Sequence, residues 1–226
     1  MDNKKIAITG AGSGLGRSLA IEVANRGAEV YLLGRTKEKL KKVANTIDSN
    51  THVYSVDISN KAKVNKVFSK INPLDILINN AGVGSFDQAE NLSKSEINKM
   101  IDINLKGTIF CTQAVLPAMK ENNSGLVVNI ISTAGKTGKK TESVYCASKF
   151  GVRGFTESLA LELEGSPLKA MGVYMGGMKT SFWDGKLPED KLNKFMDPDD
   201  IAEIILDNLK SRPHLNVEEL VIQNEK

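Results

Sequence analysis

Tyr145 and Lys149 stand four residues apart in Tyr-Cys-Ala-Ser-Lys, with Ser132 thirteen residues upstream. A phenol neither gives nor takes a proton readily at neutral pH. A lysine four positions on shares its face of a helix, and an ammonium there stabilises the phenolate. At roughly 4 Å and an effective dielectric of about 20, the attraction is on the order of 4 kcal/mol before screening, enough to draw a phenol from about 10 toward neutrality. General acid–base catalysis is most effective there. These residue types describe a proton donor and acceptor that needs a reaction to serve.

The other end of the chain encodes a partner for it. Thr9-Gly10-Ala11-Gly12-Ser13-Gly14-Leu15-Gly16 follows a short apolar run and opens an amphipathic one. Gly10, Gly14 and Gly16 permit a tight turn and a close backbone approach to a pyrophosphate. Ser13 and Leu15 fall where a helix start presents free amides and partial positive charge to that anion. The next strand ends at Leu33-Gly34-Arg35-Thr36. A NAD site places an acidic residue here to hold the ribose hydroxyls. None is present, and Arg35 with Thr36 suits a 2′-phosphate. NADP is therefore expected ahead of NAD, with Lys37 and Lys39 adding to the field.

Strand and helix signals alternate along the whole chain, which predicts an α/β fold with a parallel sheet and helices on both faces. Strands are expected at Lys5 to Thr9, Glu29 to Leu33, His52 to Val56, Leu74 to Asn79, Leu126 to Ile131, Leu168 to Tyr174 and Val217 to Ile222. Helices are expected at Leu15 to Asn25, Lys37 to Ile47, Lys61 to Ile71 and Asp199 to Leu209. Two long ones are expected at Ser93 to Lys120, opened by a Ser93–Glu96 capping box, and at Glu142 to Glu164. No repeat or linker divides residues 1–226, so a single domain is expected.

Bulk properties narrow the function. The chain has 226 residues, 41% hydrophobic and 25% charged, with a net charge of +3. That charge is spread along the chain and argues against a nucleic-acid partner. The apolar runs are too short for a membrane span, and the N-terminus enters a strand at once, so a cytoplasmic protein is expected. Cys111 and Cys146 lack metal or redox spacing and read as reduced structural thiols; no metal site is expected. His52 and His214 show no catalytic pattern.

Taken together, these motifs resemble the short-chain dehydrogenase/reductase superfamily, in its compact single-domain branch. Thr9–Gly16 is similar to its cofactor turn, Asp57 with Ile58 to its adenine-contacting aspartate segment, and Asn80-Ala81-Gly82 to the end of its N-N-A-G motif. Asn104, Ser132, Tyr145 and Lys149 match its catalytic tetrad in order and spacing. The resemblance implies a Rossmann-type doubly wound fold, a seven-stranded parallel sheet of order 3-2-1-4-5-6-7. It implies an oxidoreductase moving hydride between NADP(H) and a small ketone, aldehyde or secondary alcohol. Tyr145 would exchange the proton, and Lys149 would lower its pKa and hold the nicotinamide ribose. Ser132 would hold the carbonyl oxygen, and Asn104 would anchor a water linking Lys149 to solvent. Asn80 would sit near the adenosine ribose. The two long helices resemble those that pair subunits into homodimers or homotetramers. Two alternatives stay open: a catalytically weak cofactor-sensing protein of the same fold, and a 3-oxoacyl carrier-protein reductase favoured by Lys136, Lys139 and Lys140.

One departure stands out. The family's Pro-Gly after the sixth strand is Met175-Gly176 here, with Gly176, Met178 and Thr180 otherwise placed to contact cofactor. Loss of proline is expected to loosen this loop while cofactor binding survives with Thr180 near the carboxamide. The substrate loop is expected near 181–196, with Phe182, Trp183 and Leu187 as apolar wall.

Overall fold

Seven strands form one sheet: β1 Lys5–Thr9, β2 Glu29–Gly34, β3 Thr51–Ser55, β4 Ile76–Asn79, β5 Leu126–Ile130, β6 Lys169–Met175 and β7 Glu219–Ile222. Every pairing is parallel, as strand–helix alternation predicts, and the order is 3-2-1-4-5-6-7, as the family resemblance implies. The computed structural model describes residues 1–47, 50–210 and 215–224; His214 lies outside them. β4 is buried at all four positions and β1 at four of five, which explains why they read as unbroken apolar runs.

Helices cover both faces. On one, α1 (Gly14–Asn25) and α8 (Pro198–Asn208) bury Leu19, Val23, Ile201 and Ile205 against the sheet. On the other, α3 (Lys61–Ile71), α5 (Thr108–Glu121) and α6 (Ser143–Glu162) contribute Phe68, Val115 and Leu159. The short α2 (Lys37–Ala44) and α7 (Glu189–Leu192) lie on connections. Sheet order reverses between β1 and β4, and ligands of such folds bind in the crevice beyond those strand ends. The glycine turn after β1 and Asn80-Ala81-Gly82 after β4 meet there.

The long helix expected at Ser93 to Lys120 is not uniform. It runs as α4 (Lys94–Met100), then a π-helical stretch Ile101–Gly107, then α5. The Ser93–Glu96 capping box is present. A π turn inserts a residue without ending the helix and recurs at functional sites; apolar periodicity alone does not reveal it. Asn104 sits in its middle. The second helix stops at Ala44, where the chain turns on Asn45 and the Thr46 hydroxyl bonds the Val43 carbonyl.

Candidate active site

The glycine turn shows why glycine is needed. Gly10 and Gly14 have φ of +68° and +50°, a region that costs a side chain strain. A Cβ on Gly16 would lie 2.3 Å from the Gly10 carbonyl oxygen, so the first turn of α1 presses directly on the loop. Ser13 caps α1 without a side-chain hydrogen bond, and the first turn carries no acidic residue. Those amides and the helix dipole are left for an anion.

Neighbouring loops lock this turn in place. The backbone N–H groups of Asn80 and Ala81 each donate to Thr9 Oγ1 at 3.0 Å. Asn80 Nδ2 donates to the Thr9 carbonyl at 3.0 Å. Thr180 abuts Gly14, whose Cβ would lie 3.2 Å from the Thr180 Cβ. At the end of β2, Arg35, Thr36 and Lys39 line the same cavity as the turn, with Asp57 and Ile58 beside them. Burial works to raise the Asp57 carboxyl; hydrogen bonds from Ser59 and the charges of Arg35 and Lys63 overcome it and hold it below its ordinary value.

The cavity is about 600 Å³ and continues to Ser132, Tyr145 and Lys149. Every catalytic and cofactor-binding residue expected from sequence lines it except Asn104. Asn104 works from behind. Its Oδ1 accepts from the Val83 N–H at 2.8 Å, and its Nδ2 donates to the Val83 carbonyl and to Ser148 Oγ. Ser148 in turn donates to the Tyr145 carbonyl at 2.7 Å. The loop after β4, the π turn and α6 are thereby tied together. Ser148, fully buried, escaped sequence reasoning; a hydroxyl beside Lys149 on an otherwise apolar helical face was its only signal.

Lys149 is buried, and its Nζ donates to the Ile130 carbonyl at 3.0 Å. It sits 5.9 Å from the Tyr145 ring centre. Ser132, at the end of β5, has φ +133° and ψ 154°, a region nearly closed to non-glycine residues. Such strain persists only where surroundings over-determine it, and it clusters at functional sites. Ser132 Oγ accepts from the Ala134 N–H and is hydrogen-bonded to the Tyr145 hydroxyl.

A family model described as short chain dehydrogenase matches residues 4–191. This chain belongs to the short-chain dehydrogenase family. It is 36% identical to an uncharacterized oxidoreductase of Staphylococcus aureus strain MW2, over 99% of this chain and 98% of that one. Its fold is similar to a short-chain dehydrogenase/reductase from Vibrio parahaemolyticus, with a TM-score of 0.86 and 33% identity, covering 97% of this chain and 100% of that one. It is also similar to the closed form of a serine dehydrogenase complexed with NADP+, with a TM-score of 0.89 and 29% identity, covering 96% and 93%. The chain is thus an oxidoreductase of the short-chain dehydrogenase family.

Electrostatics in this short-chain dehydrogenase differ from the sequence expectation. Burial pushes the Tyr145 phenol above its usual value, against a lowering hydrogen bond with Ser132; the nearby Glu142 also raises it. Lys149 does not rescue it, because burial depresses the lysine itself to about 8. Spacing reveals the charge pair and conceals its desolvation, and here desolvation dominates.

Lys149 also carries a stability cost. Its folded pKa of about 8 lies below the ordinary lysine value of 10.5, so the unfolded chain holds the extra proton between those values. Stability therefore rises with pH across that window, and the cost is fully present below it. We expect Lys149→Met to be more stable than the parent at pH 7, by about 1–3 kcal/mol, with the gap closing toward pH 10.5. Urea unfolding at pH 7 and pH 10 checks this; a gap that widens with pH contradicts it.

The substrate side is aromatic. Phe86 meets Tyr145 edge-on at 5.5 Å and stacks on Trp183 at 5.4 Å, and Phe182 lies 6.0 Å from Tyr145. Phe182 and Trp183 line the cavity with Met175 and Met178; Leu187 does not. Phe86 escaped sequence reasoning. Met175 closes β6 opposite Ile222 and is buried, so the segment is anchored up to Met175 and the loop begins after it. Of the expected lysine cluster, Lys139 lines the cavity. Lys136 instead pairs with Glu219 and lies over the Tyr174 ring, which removes much of the case for a carrier-protein docking site.

Proposed function

We propose that this short-chain dehydrogenase transfers hydride between NADP(H) and a small ketone, aldehyde or secondary alcohol, with Tyr145 as general acid and base. The observation that carries this reading is convergence: Ser132, Tyr145 and Lys149 line the same cavity as the glycine turn and Arg35. The residues fit NADP, because Gly10 and Gly16 have no room for a Cβ and so let the backbone approach a pyrophosphate, and Arg35 replaces the acidic residue of a NAD site. Bound NADPH would supply the hydride.

The chain's own groups do the rest. The α1 amides and glycine turn would hold the pyrophosphate, and Arg35 with Thr36 the 2′-phosphate. Ser132 would donate to the substrate oxygen, where charge develops. Tyr145 would give that oxygen its proton during reduction and take it back during oxidation. Lys149 is the next ionisable group behind Tyr145. Gly82 leaves open the space between it and Asn104: a Cβ there would lie 3.6 Å from Lys149 Nζ and 3.5 Å from Asn104 Oδ1. A water in that gap would relay protons to solvent.

We also propose that residues 1–226 act as one cofactor-binding domain with a substrate loop over 181–196, in the cytoplasm, as a homodimer or homotetramer. Exposed Phe150 and Leu161 on α6 support association. No helix among the described residues is long and apolar enough to cross a membrane. Light scattering at micromolar concentration should return a dimer or tetramer mass; a monomer contradicts the assembly. For the activity, purified protein mixed with NADPH and a panel of carbonyls should consume NADPH. Tight NADPH binding with no consumption across the panel would instead favour a cofactor-sensing protein.

A further inference from the structure

The cavity holds charges that hydride transfer does not use. Lys99 of α4, Lys139 and Lys186 line it; besides Asp57 at the cofactor end, Glu142 is the only carboxylate among the described lining residues. Glu142 and Lys139 act on each other. Lys99 and Lys186 form no ion pair among the described residues. Lys186 feels burial first, then Asp184 at longer range in its favour and Lys99 against it.

Lys186 is nevertheless fixed in place. Its Nζ donates to the Phe182 carbonyl, lies 4.3 Å from the centre of the Phe182 ring and 5.7 Å from that of Phe86. Ring faces attract a cation without neutralising it. Phe182 and Phe86 are the rings that pack on Tyr145, so the ammonium and the phenol share the same two ring neighbours. The wall beside it is tight: a Cβ on Gly84 would lie 2.7 Å from Phe86 and 2.8 Å from Phe182. A held cation with no ion-pair partner among the described residues, a second cation nearby and ring neighbours shared with the proton donor calls for a compact anion.

We propose that Lys186, assisted by Lys99, binds the carboxylate of a short oxo acid, or of the matching hydroxy acid in the reverse direction. The proposal rests on the hydride-transfer reading and names the substrate class for it. The carbonyl carbon gains the hydride that NADPH loses, its oxygen gains the Tyr145 proton, and the carboxylate is unchanged. The lysines set specificity and the acid's position; they take no part in bond making.

The test compares a short oxo acid with its methyl ester, using NADPH consumption. The parent should favour the acid by about tenfold or more in kcat/KM, as for a charge-assisted contact. Lys186→Gln should bring that ratio to within about twofold of one, mainly through the acid's KM, and Lys186→Arg should keep most of it. Lys99→Gln should give a smaller loss, and added salt should erode the preference. An ester turned over as well as the acid, equal losses for both in Lys186→Gln, or a coenzyme A thioester of the same acyl group outpacing the free acid would overturn the proposal. Should neither substrate react while other carbonyls of the panel do, the proposal is overturned; should no carbonyl react, the hydride-transfer reading fails, and binding alone then decides. Trp183 is the chain's single tryptophan and lines the cavity. Titrating the hydroxy acid into protein with NADP+ should quench its fluorescence saturably, about tenfold more weakly in Lys186→Gln; no quenching, or no difference, overturns the assignment.

Discussion

Tyr145→Phe should lower NADPH-dependent carbonyl reduction by about 10³-fold or more, within the span that positioned proton transfer supplies, while leaving NADPH affinity within about threefold. The substitution removes only a hydroxyl. The ring's contacts with Phe86 and Phe182 at 5.5 and 6.0 Å remain available to phenylalanine, so folding and the cavity wall should survive. Burial keeps the free protein's phenol protonated at neutral pH, the form that reduction consumes. Stopped-flow fluorescence of NADPH gives binding, and absorbance gives turnover. A variant that retains a tenth of parental turnover would remove Tyr145 from the chemistry. Equal, negligible turnover in both proteins with intact NADPH binding would support a sensing role.

Arg35→Asp should reverse cofactor choice. A guanidinium on a 2′-phosphate is a charge-assisted contact of about 1.5–3 kcal/mol. Its loss, together with repulsion from the new carboxylate, should raise the KM for NADPH by about 100-fold. The same carboxylate supplies the acceptor that ribose hydroxyls prefer, so NADH should improve. Asp57 complicates the swap, because the Arg35 charge now helps to hold it ionised. Arg35→Gln separates the effects: it should lose NADPH affinity by about tenfold without gaining NADH. Unchanged NADPH kinetics in both variants would place the 2′-phosphate elsewhere.

How much of this was legible in the sequence depends on the kind of signal each residue carries. The parallel α/β class and the glycine turn were readable because apolar runs, strand–helix alternation and glycine spacing are local; the strand order is not local and came only through the family resemblance. The π turn around Asn104 was not, since one inserted residue preserves the apolar face on either side. Met175 reads as a lost proline, yet its side chain finds a buried place at the end of β6. Spacing shows that Tyr145 and Lys149 share a face; it does not show that both are buried, and burial decides their proton affinities. Lys136 and Lys139 are neighbours in one loop, but Glu219 of β7 draws the first away. Lys99 and Lys186 line one cavity only because the loop after Thr180 folds over Phe86, a long-range contact with no pattern in either segment.

The most direct test of the central claim is a crystal structure of the protein with NADP+ bound. The account predicts the pyrophosphate on the α1 amides, the 2′-phosphate at Arg35, and the open face of the nicotinamide turned toward the Tyr145 hydroxyl. A dinucleotide seated elsewhere, or a Tyr145 hydroxyl directed away from the nicotinamide, would contradict it.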